Sequence, residues 1–228
     1  MTPLPNPEAL ATLQAAGVPG ELAVRLAVYT QLVLDANRRV NLTGAKDGTA
    51  FARHVLDALT LQDDVVGPLI DVGSGNGLPG IPLALATAAR VTLLEPIKKR
   101  AAFLRAALGA LALGGEVVVE RAEEAARDPL YRERFATATA RAVASAPTVA
   151  ELAVPFLAIH GHALLQRGSL EPAERHAVAD AALVLGAEFV EERVLDGERR
   201  ILVLEKHAPT SPRFPRRNGI PAKRPLCV

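Results

Sequence analysis

The chain has 228 residues, half of them hydrophobic, with 26 Lys and Arg against 25 Asp and Glu. This fits one large domain with a modest extension, and the near-zero net charge says nothing about partners, so the distribution of charge has to. One cysteine, Cys227, excludes an internal disulfide framework or a cysteine-based zinc site, and no run of about 18 apolar residues is present to span a membrane.

Residues 1–7, Met-Thr-Pro-Leu-Pro-Asn-Pro, lack the basic start and apolar stretch of a signal peptide, so a cytoplasmic location is expected. Residues 8–37 read as helix, with Leu22, Leu26, Tyr29, Leu32 and Val33 at spacings of three and four. The turn-like link Asn41-Leu42-Thr43-Gly44 leads to a second helix over Ala50–Leu61. From Pro68 the rhythm changes. Leu69–Val72 reads as strand, Ile81–Ala89 as helix, Val91–Leu94 as strand and Lys98–Leu113 as helix. Val117–Val119 and Phe135–Ala140 follow as strands, then a helix over Ala146–Ile159 and a strand at Ala163–Leu165. Strands alternating with helices predict βαβ crossovers and a mainly parallel sheet covered on both faces. A helix over Pro172–Leu185 is followed by Ala187–Leu195 and Ile201–Leu204 around Asp196-Gly197, a hairpin signal. Five βα units closed by a helix and an antiparallel hairpin are the plan of an α/β, Rossmann-like class I methyltransferase, with a mainly parallel seven-stranded sheet. The expected organisation is an N-terminal helical extension (1–64), a cofactor-binding domain (65–208) and a basic, proline-rich tail (209–228). That tail holds five prolines and five basic residues, Arg213, Arg216, Arg217, Lys223 and Arg224, and no acid. Proline at that density disfavours regular structure. It reads either as a solubilising tail or as an arm that follows phosphates.

The segment Asp71-Val72-Gly73-Ser74-Gly75-Asn76-Gly77-Leu78-Pro79-Gly80 lies between the first strand and the next helix. Gly75-x-Gly77-x-x-Gly80 matches a dinucleotide fingerprint, which alone is a weak signal. Glu95 ends the second strand and can accept from both hydroxyls of a ribose, in NAD or in S-adenosylmethionine. Asp71 discriminates between them. A dinucleotide site sets a pyrophosphate at this turn, on the helix N-terminus, and a carboxylate there repels it. S-adenosylmethionine brings a sulfonium and an ammonium, which Asp71 favours. After the third strand, Arg121-Ala122-Glu123-Glu124 reads either as an adenine contact or as a helix start with favourable acids.

The chemistry narrows by elimination. Methylation at cytosine C5 needs a cysteine nucleophile, and Cys227 is in the tail. Transfer to an exocyclic amine commonly uses an Asn/Asp-Pro-Pro-aromatic loop after the fourth strand, where this chain has Ala140-Arg141-Ala142-Val143. Guanine N7 carries a free lone pair and loses no proton, so such an enzyme needs positioning more than acid–base groups. Arg121, Arg141 and Arg167 follow strands three, four and five, where ligands of open α/β sheets bind, and Arg199 is in the final hairpin. Each alone is an ordinary surface arginine; together they suit an RNA substrate. The five histidines are scattered, without the close helical spacing of a metal site, and no metal is expected.

These pieces together resemble the glucose-inhibited division protein B (RsmG) family of 16S ribosomal RNA guanine-N7 methyltransferases. The matching residues are Asn41-Leu42-Thr43, Arg53-His54-x-Leu56-Asp57, the run Asp71 to Leu83, and Lys99-Arg100-x-x-Phe103-Leu104. They continue with Arg121-Ala122-Glu123, Arg141-Ala142-Val143-Ala144, Gly197-Glu198-Arg199 and Pro215-Arg216-Arg217-x-Gly219-x-Pro221. The resemblance implies S-adenosylmethionine as cofactor and 16S ribosomal RNA or the small ribosomal subunit as partner. It implies a cofactor site lined by Gly73, Leu78, Glu95-Pro96-Ile97, Ala122-Glu123 and Arg141, alongside Asp71, Ser74, Gly75 and Gly77. Arg141 and Arg167 would position the substrate. Arg121, Arg167, Arg199, Arg216 and Arg217 would meet RNA. One departure stands out: the family usually has Lys-Gly after the fifth strand, where this chain has Arg167-Gly168. Charge is kept, but arginine is planar and is not readily deprotonated.

Overall fold

The structure is a computed structural model and describes residues 3–141 and 144–226. Ala142, Val143 and Cys227, singled out above, lie outside the described residues. Among the described residues seven strands, β1 (Leu69–Val72), β2 (Val91–Leu94), β3 (Gly115–Val118), β4 (Phe135–Arg141), β5 (Leu157–Arg167), β6 (Ala187–Val194) and β7 (Arg200–Lys206), run in the order β3-β2-β1-β4-β5-β7-β6. The chain divides into two compact units, Met1–Val65 with Ser74–Val119, and Val66–Gly73 with Glu120–Val228.

The first unit opens with α1 (Pro7–Ala15) and α2 (Gly20–Val40), where the periodicity alone predicted one helix. Pro19 precedes α2 and Gly17 turns with φ 81°, which interrupts the ladder between them. Asn6 caps α1 through the Ala9 N–H at 2.9 Å, with Pro7 at the first position. The buried residues of α2, including Leu26, Tyr29, Thr30 and Val33, fall at helical spacing. Tyr29 meets Phe51 of α3 (Gly48–Leu59) edge-on, with centroids 5.6 Å apart. The link between α2 and α3 is tied down by Asn37. Its Oδ1 accepts from the N–H groups of Leu42 and Thr43, and its Nδ2 donates to the Thr43 carbonyl. Beyond the glycine turn come α4 (Gly80–Thr87), β2 (Val91–Leu94), α5 (Lys98–Ala110) and β3 (Gly115–Val118). β2 and β3 pair in parallel, Val91 opposite Gly115.

The second unit holds β1 (Leu69–Val72), α6 (Ala122–Ala125), β4 (Phe135–Arg141), α7 (Ala146–Ala153) and β5 (Leu157–Arg167). It continues with α8 (Pro172–Val184), β6 (Ala187–Val194), β7 (Arg200–Lys206) and α9 (Ile220–Lys223). β1 pairs with β4 and β4 with β5 in parallel, while β7 runs antiparallel to both β5 and β6. The helix predicted over 146–159 ends at Ala153. Pro155 cannot donate a ladder hydrogen bond, so a 3₁₀ turn over Val154–Phe156 intervenes before β5. β5 has eleven residues rather than the expected three, because it is flanked by partners on both sides.

Proline disfavours regular structure in residues 209–226, yet the segment is ordered by donors from elsewhere in its unit. Arg132 donates to the carbonyls of Thr210 and Phe214, and Arg127 to those of Pro212 and Pro215. A proline-rich stretch has carbonyls but few N–H groups, and the two guanidiniums satisfy them. One helical turn does form, α9, with Pro221 near its start where a missing N–H does no harm. Thr148 of α7 donates to the Pro221 carbonyl at 3.0 Å. Lys206 is buried, donating to Thr210 Oγ1 and the Val154 carbonyl, 3.4 Å from Glu133. Burial pushes its ammonium down to about 8, against the pull of Glu133.

Candidate functional site

Within the first unit the glycine turn is closed onto the end of β2. Ser74 N–H donates to the Leu94 carbonyl at 3.0 Å, and Gly75 N–H to Glu95 Oε2 at 3.0 Å. Glu95 is 3% exposed, and its Oε1 accepts from the Ile97 N–H at 2.7 Å. A carboxylate has about four acceptor positions, so each oxygen of Glu95 keeps one beyond these bonds. Pro96 and Ile97 are exposed beside it. Leu78 is buried, and its N–H donates to Asn76 Oδ1 at 3.2 Å. Asn76 is the hub of the turn. Its carbonyl accepts from Tyr29 Oη at 2.9 Å and its Nδ2 donates to the Leu42 carbonyl at 3.2 Å. The motif Asn41-Leu42-Thr43 is therefore a support for the turn. Gly77 has φ 98°, and a Cβ there would lie 2.5 Å from Ile81 Cδ1, so the turn admits only glycine.

Within the second unit Asp71 is the penultimate residue of β1, 1% exposed. It stands in register with Thr139 of β4, whose Oγ1 donates to Asp71 Oδ1 at 3.0 Å. Gly73 follows with φ 76°. Arg121 caps α6 and is exposed; Ala122 is half-buried. Glu123 is buried and accepts from the Gly219 N–H at 2.8 Å, while Glu124 accepts from Asn218 Nδ2 at 2.7 Å. These two acids hold the tail. Arg216 also turns inward. It grips the fully buried carboxylate of Glu151 on α7, through Nε at 2.9 Å and a second guanidinium nitrogen at 2.6 Å. Arg217 beside it is exposed.

Arg141 ends β4 opposite Gln166 of β5. Arg167, the last residue of β5, is held by both oxygens of Glu174 on α8, each at 2.8 Å. Glu174 Oε1 also accepts from the Ala146 N–H at 2.7 Å, which joins α8 to the start of α7. Arg167 Nε is buried with no hydrogen-bond partner among the described residues. Around it is a cleft of about 260 Å³ lined by Ala140, Ala144, Ala146, Val149, Leu165, Gln166, Arg167, Gly168 and Leu202. Arg199 lies in the loop between β6 and β7, paired with Asp196. The hydrogen bond from that guanidinium holds the Asp196 carboxyl below its usual range.

The expected residues therefore fall into two sets. Ser74, Gly75, Gly77, Leu78, Glu95, Pro96 and Ile97 share the first unit, and Asp71, Gly73, Arg121–Glu123, Arg141, Arg167, Arg199, Arg216 and Arg217 the second. Sequence reasoning missed Tyr29, Asn76, Thr139, Glu151 and Glu174. Thr139 alone had a signal, a hydroxyl on the predicted strand Phe135–Ala140; that this strand lies beside β1 is seen only in the fold.

Comparison with known proteins follows from this geometry. Residues 23–203 match the family described as rRNA small subunit methyltransferase G. A ribosomal RNA small subunit methyltransferase G from Rubrobacter xylanophilus is 42% identical over 210 residues, covering 86% of this chain and 80% of that protein. The namesake from Moorella thermoacetica is 38% identical over 220 residues, covering 91% of each. Among solved structures, a provisionally assigned RNA methyltransferase from Pyrococcus horikoshii superposes with TM-score 0.54 at 15% identity, covering 79% of this chain and 98% of that one. A point mutant of MtNAS in complex with S-adenosylmethionine gives TM-score 0.55 at 16% identity, covering 90% and 85%. At such identities the two structures speak to the fold alone.

Proposed function

Because the chain belongs to the rRNA small subunit methyltransferase G family, we propose that it transfers a methyl group from S-adenosylmethionine to N7 of one guanosine in 16S ribosomal RNA. The observation that carries this reading is the pair of buried carboxylates that flank the glycine turn in sequence, Asp71 next to last in β1 and Glu95 directly after β2. Both suit this cofactor. Glu95 retains an acceptor position on each oxygen for two ribose hydroxyls. Asp71 is a negative charge fixed in orientation by Thr139, suited to a cationic amino-acid end. Gly73, Ser74, Gly75, Gly77 and Leu78 supply backbone that a ligand approaches closely, and the exposed Pro96 and Ile97 an apolar surface for adenine. Ala122 and Glu123 complete this set.

When bound, S-adenosylmethionine supplies a methyl group activated by a positively charged sulfur. The protein's own task is positioning. Guanine N7 attacks with its lone pair and gives up no proton, so no general base is needed. Arg141 and Arg167 orient the target base. Arg167 is restrained by Glu174, which makes it a stiff reference point with one buried N–H still to be satisfied. The planar fork suits arginine to this place, since two of its nitrogens bind Glu174 while Nε remains. Arg121, Arg199 and Arg217 meet phosphates, with Arg216 bracing the segment that carries Arg217. We assign the substrate to the small ribosomal subunit and the cytoplasm; no helix of the described residues is long and apolar enough to cross a membrane.

The test is transfer of labelled methyl from S-adenosylmethionine to small subunits from a strain lacking the gene, with N7-methylguanosine mapped by chemical strand cleavage. One labelled guanosine in 16S RNA is expected. Label at another atom, or none from protein that binds the cofactor, overturns the assignment.

A further inference from the structure

The histidines that look scattered in the sequence converge in the fold. Three of the chain's five, His160, His162 and His207, gather around Glu205 at the β5–β7 edge of the second unit. The ladder explains why. His162 of β5 faces Glu205 of β7 in an antiparallel pair. His160, two residues before His162, and His207, two residues after Glu205, both reach the same Glu205 carboxylate. Lys206, between Glu205 and His207, points the other way into the core. Three imidazoles thus surround one carboxylate.

His160 is turned toward this face by a break in the β4–β5 register. Phe135 pairs with Leu157, but Thr137 with His162. The surplus residues bulge, and His160 takes φ 66°, a left-handed conformation unusual for a strand histidine. Gly161 permits the bulge. A Cβ there would come within 2.9 Å of the Phe135 and Ala158 carbonyls.

We propose that His160, Glu205 and His207 form a binding site for one first-row divalent transition-metal ion of the zinc type. His160 Nδ1 lies 3.6 Å and His207 Nδ1 3.8 Å from Glu205 Oε1, and the ligand atoms of all three residues fall within 4.8 Å of one another. Ligands about 2.1 Å from a tetrahedral ion are about 3.4 Å apart, so both carboxylate–imidazole gaps already approach the bound spacing. His162 Nε2, 4.0 Å from Glu205 Oε2, stands ready on the other carboxylate oxygen. The support expected of a metal-bound histidine is present too. While Nδ1 of His207 faces Glu205, its Nε2 lies 3.6 Å from Glu188 Oε2, on β6 across from Glu205. A carboxylate behind the ring fixes its tautomer and orientation. Imidazole nitrogens with one carboxylate select zinc, cobalt, nickel or copper over magnesium and calcium. His160 is seven residues before Arg167 on the same strand, roughly 20 Å away, so the ion clips β5 to β7 and takes no part in methyl transfer.

The experiment uses the full chain without an affinity tag, titrated with cobalt(II) and then zinc(II). One cobalt per chain is expected, with the intense visible absorption of a tetrahedral nitrogen–oxygen site, bleached when zinc displaces it. Glu205→Gln, His207→Ala and His160→Asn should each weaken zinc affinity by roughly ten-fold or more. Asparagine is chosen at 160 because it tolerates the left-handed backbone. Circular dichroism before addition of metal identifies any variant that fails to fold, and the other two then decide. Equal zinc affinity in wild-type and folded variants, or cobalt uptake without the tetrahedral spectrum, overturns the site. Methyl transfer by the metal-free protein is expected to match that of the zinc-loaded protein, so a failure of the site leaves the methyltransferase reading intact.

Discussion

Thr139 orients Asp71 without neutralising it. A hydroxyl donor at 3.0 Å fixes the carboxylate's plane and leaves its charge in place. Thr139→Val keeps the shape and removes the donor, and cofactor affinity measured by calorimetry should fall by about 1 kcal/mol. Asp71→Ala should have a larger effect, about 1–3 kcal/mol of affinity, through loss of a charge-assisted contact. An unchanged affinity in the second variant, with the fold intact, would sink the argument from charge. At this scale Asp71 and Glu95 were legible as candidates because each lies near the carboxyl end of a short apolar strand, Asp71 two residues before Gly73 and Glu95 twenty after Gly75. Thr139, Glu151 and Glu174 were not. Their importance comes from what stands opposite them, and a linear chain does not display that.

Among the elements, the glycine turn has the narrowest tolerance. Gly77→Ala would force a side chain into the left-handed region and against Ile81. A loss of about 1–3 kcal/mol in urea unfolding is expected, with weaker cofactor binding alongside. The neighbouring arginines separate by role. Arg216→Ala strands Glu151 in the interior and should destabilise the protein by about 3–5 kcal/mol. Arg217→Ala should leave the urea midpoint unmoved and weaken RNA binding, since its side chain is exposed. Equal effects of the two on unfolding would refute the division. Sequence composition marked this tail as basic and irregular. It could not separate Arg216 from Arg217, because the partner of Arg216 lies on α7, 65 residues earlier. Element boundaries were misread where proline or pairing decided them, at the break between α1 and α2 and at the start of β5.

For the molecule as a whole, charge is balanced, so RNA affinity must come from local groups. Removing Arg121, Arg199 or Arg217 should each lower the slope of log affinity against log salt by about 1, read by filter binding across a salt series. A slope that stays the same in all three would remove them from the phosphate contacts. The mainly parallel sheet and the final hairpin were legible from alternation and from Asp196-Gly197, whereas the order of the strands was not. The convergence of histidines was not, because 160 and 207 meet only through the antiparallel pairing of β5 with β7.

The buried Glu151 also has a history in time. During synthesis β1, β4 and α7 all emerge before Arg216 exists, since that residue is translated 65 positions later. Until then, the carboxylate has no guanidinium to meet and α7 carries an uncompensated charge on a face that is otherwise apolar. A nascent chain at this stage must either leave α7 undocked or bury a carboxylate without its partner. Docking of α7 therefore waits on translation of residue 216, and a chain cut short before it is expected to hold all seven strands but to lack both α9 and the Arg216–Glu151 tie.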